Sequence, residues 1–119
     1  MSDTNVVVSA EARADLLALA EADPHLLREV LRRLLALKAR PYAGERLRAK
    51  ANRMPLAEAD CRKVKVNGVR ILYRLEPHEG APADAFVIAV LAKRDAYGEG
   101  TARTAKRLRE LARRQALRR

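Results

Sequence analysis

Asn67-Gly68 sits between two β-branched runs, Cys61-Arg62-Lys63-Val64-Lys65-Val66 and Val69-Arg70-Ile71-Leu72-Tyr73-Arg74-Leu75. That dipeptide is the strongest short-range signal for a β-hairpin. A two-residue turn of the expected kind puts both central residues at positive φ. Alternation within the strands then sorts the side chains. Val64 and Val66 fall on one face, Lys63 and Lys65 on the other. A sheet that is apolar on one side and doubly cationic on the other is suited to hold an anion.

Charge along the chain supports that reading. The net charge is +10 over 119 residues. Residues 1–39 carry five basic and six acidic side chains, whereas residues 40–119 carry twenty and nine. The asymmetry points to a polyanionic partner, nucleic acid foremost. A membrane surface fits less well, because no segment joins a basic face to a long aromatic or leucine-rich one. No secretory hydrophobic region opens the chain, and no apolar run approaches membrane-spanning length. The lone cysteine, Cys61, excludes an internal disulfide framework and fits a reducing cytoplasm. It lacks metal-ligand neighbours and reads as inert. The length suits one domain, enough to bury roughly 60–70% of the unfolded surface.

The expected order of elements is βααβββα. Val6-Val7-Val8 is a short strand, and Ser9 caps a helix from about Ala10 to Glu21. Its apolar stripe is Leu16, Leu17, Leu19 and Ala20. Asp23-Pro24 starts a second helix, with Leu27, Val30, Leu31, Leu34 and Leu35 toward the core and Arg28, Arg32 and Arg33 outside. The segment from Arg40 to Asp60 reads as a loop anchored by Leu47 and Leu56. The hairpin follows, then a breaker-rich loop from Glu76 to Pro82. Ala85 to Ala92 is almost wholly apolar and reads as a strand buried on both faces. A strongly basic helix occupies about 101–119, with Lys106 and Arg107 at its start. Tyr73 reads as packing, and His25 as an exposed helix-start residue.

On their own, Lys63 and Lys65 are what the solvated face of any antiparallel sheet carries. Their context changes the reading. The order VVVSAEARADLLAL, a second helix, the Lys63-x-Lys65 pair, Gly68-x-Arg70-x-x-Tyr73-Arg74 and Phe86-Val87-Ile88-Ala89-Val90 ending in Lys93-Arg94 resembles the RelE/ParE toxin superfamily. These are the toxin halves of bacterial type II toxin–antitoxin pairs. The resemblance covers nearly the whole chain. It implies an α+β fold, a small antiparallel sheet packed against two N-terminal helices with a basic C-terminal helix. It implies a single domain over residues 1–119 and a cytoplasmic protein.

Within that superfamily the RelE branch cleaves messenger RNA on the ribosome without metal or cofactor, and the ParE branch inhibits DNA gyrase. By resemblance to the RelE branch, Lys63, Lys65, Arg70 and Arg94 fall on catalytic cations. Attack of a ribose 2′-hydroxyl on the adjacent phosphate builds negative charge, which fixed cations stabilise. Crowding disfavours protonation, so one of the lysines can act as base. Arg70 and Arg94 would clamp the phosphate. Arg62, Arg74, Lys93, Lys106 and Arg107 are expected to hold further RNA phosphates. The family's base-stacking tyrosine aligns with Thr101 here, and the nearest tyrosine is Tyr97, followed by Gly98 and Gly100. Tyr97 stands either as the stacking residue or as an ordinary loop residue. The implied partners are a cognate antitoxin, often acidic, and the ribosome with its mRNA. Two other classes stand beside the nuclease: a gyrase inhibitor of the ParE kind, and a non-catalytic or decayed RNA-binding member.

Overall fold

The computed structural model describes residues 5–46, 61–78, 81–92 and 106. The described elements are β1 (Val6–Val8), α1 (Ala10–Ala22), α2 (Pro24–Ala36), β2 (Glu45–Arg46), β3 (Arg62–Val66), β4 (Val69–His78) and β5 (Ala81–Ala92). The fold is α+β, with two helices and one five-stranded sheet in the order β1-β5-β4-β3-β2.

Capping residues set the helices. The Ser9 hydroxyl accepts from the Ala12 backbone N–H at 3.1 Å, and the Ser9 N–H donates to the Val87 carbonyl at 3.1 Å. One short side chain therefore starts α1, and its own backbone ties that start to β5. Asp23 closes α1 and opens α2. Its backbone N–H donates to the Leu19 carbonyl at 2.7 Å, while its carboxylate accepts from the Leu26 N–H at 3.1 Å. With Pro24 in the first turn, the chain reverses between the helices without a separate linker. Asp15 adds a cross-tie, its carboxylate accepting from the Val90 N–H at 3.0 Å.

The helices lie on one face of the sheet. Ala12, Val30, Leu34 and Leu37 pack against Val66, Val69, Ile71, Tyr73, Ala85, Val87 and Val90. In both helices the buried stripe is narrower than the leucine spacing suggests. Leu17, Leu31 and Leu35 are exposed, and Leu37, beyond the end of α2, takes a core place. Among the described residues no helix is long and apolar enough to cross a membrane.

The sheet departs from expectation in four respects. It is mixed rather than antiparallel, because β1 runs parallel to β5 through Val6–Ala85, Val7–Phe86 and Val8–Val87. A three-residue edge strand carries no periodicity that encodes its direction. A short strand, β2, forms within the segment read as loop and pairs with β3 through Glu45–Lys63 and Arg46–Arg62. The β4–β5 hairpin continues into the breaker-rich region as far as His78–Ala81, with a register shift spanning Pro77. A bulge absorbs a proline that can donate nothing to a ladder. Finally, the turn places only Asn67 at positive φ (53°), and Gly68 lies outside that region. That is the φ signature of a II′ turn, in which the first central residue alone is left-handed.

Candidate functional site

Cross-strand register decides which basic side chains share a face. In an antiparallel ladder, residues directly opposite point the same way. Lys65 stands opposite Arg70, and Lys63 opposite Leu72. Arg74, two further along β4, follows on the same side. Lys63, Lys65, Arg70 and Arg74 therefore share the sheet face turned away from the helices. Val64 and Val66 face the core opposite Ile71 and Val69, as the alternation predicts.

That distal face is not uniformly polar. Leu72 and its partner Ala89 are fully buried on it, and Arg70 is only 7% exposed. The Arg70 guanidinium folds back on the hairpin turn, one terminal nitrogen donating to the Asn67 carbonyl at 2.9 Å and to that of Val69 at 3.1 Å. Its Nε is buried with no hydrogen-bond partner. An unmade bond at a buried donor costs about 1–3 kcal/mol, so Arg70 is held here at an energetic cost. Lys65 is exposed beside it, and Lys63 is half-buried. Arg74 is partly engaged, its Nε lying 3.5 Å from a Glu76 carboxylate oxygen.

Arg62 does not join this group. It lies opposite Tyr73, on the helix side, and serves as a loop clamp. A terminal nitrogen donates to the Gly44 carbonyl at 2.9 Å and to that of Tyr42 at 3.4 Å. The guanidinium also lies 5.1 Å from the centre of the Tyr42 ring. The strand alternation itself signals this, since Arg62 has the parity of Val64 and Val66. Tyr73 is core, as expected, and its hydroxyl reaches the same loop. It donates to the Pro41 carbonyl at 2.7 Å and accepts from the Gly44 N–H at 2.9 Å. Burial pushes the Tyr73 phenol pKa up, against the opposing pull of the Gly44 bond and the Arg62 charge.

A pocket of about 380 Å³ opens where α2 ends, beside β3. Arg33, Arg40, Lys63 and Lys65 line it, with Glu45 as the one carboxylate among the described residues. Beyond Lys63, β3 has no further pairing with β2, so its last residues form an edge among the described residues. The two lysines thus belong to both the distal face and this pocket. Arg33 and Arg40 escape a reading by motif because they lie far away in sequence, on the outer side of a helix and at a loop start. Clustered cations closing α2 were the available signal.

Lys106 is helical and exposed. Lys93, Arg94, Tyr97 and Arg107 lie outside the described residues. Cys61 is buried as a free thiol. Among the described residues no group of three His, Cys, Asp or Glu side chains is placed to hold a metal ion. No protein-family model matches the chain, and no curated protein matches it significantly.

Proposed function

We propose that this protein is the toxin of a type II toxin–antitoxin pair, acting as a ribosome-dependent mRNA endoribonuclease. The observation carrying the reading is the shared face of Lys63, Lys65 and Arg70, three cations within one hairpin, with a buried unpartnered donor on Arg70. Such a face suits a phosphate whose charge rises in the transition state. The 2′-hydroxyl oxygen attacks phosphorus, and the bond to the 5′-oxygen of the next nucleotide breaks. A 2′,3′-cyclic phosphate and a free 5′-hydroxyl result. Lys63 and Lys65 share contact with the phosphate and the proton transfer, one taking the 2′-hydroxyl proton and the other giving a proton to the departing 5′-oxygen. By resemblance Arg94 completes the clamp and Tyr97 is the candidate for base stacking. Lys93, Lys106 and Arg107 would hold flanking phosphates. An acidic antitoxin segment laid over the same face would silence the toxin.

Primer extension on an mRNA under translation in vitro tests this directly. New cuts inside codons are expected with the purified chain, absent on naked RNA and abolished by Lys65→Ala. Cuts that persist unchanged in Lys63→Ala/Lys65→Ala would remove these residues from the chemistry. No cuts from a folded sample would favour the gyrase inhibitor, to be judged by a supercoiling assay.

A further inference from the structure

The pocket beside β3 carries more than the proposed chemistry requires. Arg33 and Arg40 come from α2 and the segment after it, outside the hairpin that holds the candidate catalytic lysines. Neither makes an ion pair among the described residues. Tyr42 lies in sequence between two lining residues, Arg40 and Ala43, at the border of the pocket and not in its lining. Tyr42 is 66% exposed, in a chain with only three tyrosines, one phenylalanine and no tryptophan. Exposing so large a ring forgoes burial that a small core could use. The ring is nonetheless held, because Arg62 lies over it and hydrogen-bonds the Tyr42 carbonyl. A guanidinium on one face leaves the other open.

We propose that this pocket is a nucleotide subsite for single-stranded RNA. Arg33 and Arg40 take a phosphate there, and the open face of Tyr42 stacks the attached base. The assignment rests on the reading that the protein acts on RNA, and it extends the binding track past the scissile phosphate. Cations that follow a backbone, interleaved with an aromatic platform, are how single strands are held without sequence readout. Glu45, across the ladder from Lys63, leaves the lining with a surplus of positive charge and offers an acceptor to a sugar hydroxyl or base amine.

The test is fluorescence anisotropy of the full chain with a short unstructured RNA, without ribosomes, across a salt series. Tyr42→Ala should weaken binding by roughly 5- to 100-fold, while Tyr42→Phe keeps most of it. Arg33→Ala/Arg40→Ala should lower affinity and flatten the salt slope by about 0.7 for each phosphate no longer neutralised. Polyglutamate, which has charge but no bases, should respond to the arginine changes and not to Tyr42→Ala. Wild-type RNA affinity in Tyr42→Ala, or equal weakening for RNA and polyglutamate, would overturn the subsite. The two readings fail separately. Codon cuts with Tyr42-independent binding would sink the subsite alone, and Tyr42-dependent binding without cuts would sink the nuclease alone.

Discussion

Lys65 and Arg70 stand directly opposite one another across the β3–β4 ladder, two cations on one face of a hairpin only two residues from its turn. Opposed like charges destabilise a sheet, by a few tenths to about 1 kcal/mol. Arg70 adds a buried Nε without a partner. A sequence selected for stability alone would have placed an acid or a threonine at one of these positions. Lys65→Thr should therefore raise stability slightly, by about 0.5 kcal/mol in urea titration, while abolishing ribosome-dependent cleavage. A variant that is both less stable and fully active would remove the reason for assigning the pair to function.

Tyr73 joins the core to the segment before β2, with its hydroxyl bonded to both Pro41 and Gly44. Tyr73→Phe leaves a carbonyl and an N–H without that partner and should cost about 1–3 kcal/mol. It should also alter the pH dependence. The folded phenol has a pKa above its ordinary 10.0 because burial penalises the phenolate. Below pH 10 both states keep the proton and the contribution is intact. As pH rises further, the unfolded chain sheds its proton first, so stability falls until the folded phenol also ionises. Urea midpoints of wild type and Tyr73→Phe from about pH 8 to 11 should therefore converge at the alkaline end. Parallel curves would show that Tyr73 does not carry the alkaline loss.

The hairpin, both helices and the buried strand were legible because each repeats a pattern that local physics enforces. Alternation of Val64 and Val66 with Lys63 and Lys65 determined which side chains could share a face, and Ser9 and Asp23 marked helix starts by their capping chemistry. The same alternation, followed one residue back, also excludes Arg62 from the distal face. Other features depended on distant partners. The parallel pairing of Val6–Val8, the β2 strand at Glu45–Arg46 and the approach of Arg33 and Arg40 to Lys63 arise from packing between separated segments. No window of sequence contains both halves of those pairings. The burial of Leu72 on a face also holding Lys63 and Lys65 has the same origin, because alternation assigns a side but not what covers it.

Gly44 is required by closeness rather than by its backbone angle. A Cβ there would stand 2.5 Å from the Tyr73 hydroxyl oxygen and 2.6 Å from Cε1 of the ring. The ring is buried and held at its hydroxyl, so it cannot swing aside cheaply. Gly44→Ala should cost about 1–3 kcal/mol through overpacking and displace the start of β2. Combined with Tyr73→Phe, it should cost less than the two separate effects added, because both disrupt one anchor. Additive costs in a double-mutant cycle would place the effect of Gly44 elsewhere.

The hairpin turn reverses the roles usually given to Asn-Gly. Asn67 takes the left-handed conformation at φ 53°, and Gly68 does not, with nothing within 4 Å of where its Cβ would be. Asparagine tolerates that region better than most residues with a Cβ, because its short polar side chain bonds locally. Asn67→Ala should therefore cost about 1 kcal/mol. Gly68→Ala should stay within about 0.5 kcal/mol of wild type, as at any unconstrained surface position. The turn also sets the Arg70 guanidinium, which donates to the Asn67 carbonyl. Asn67→Ala should thus lower cleavage as well as stability, and Gly68→Ala should alter neither. Urea midpoints measured beside cleavage rates decide the matter: a Gly68→Ala loss larger than that of Asn67→Ala would return the turn to the form in which both residues are left-handed.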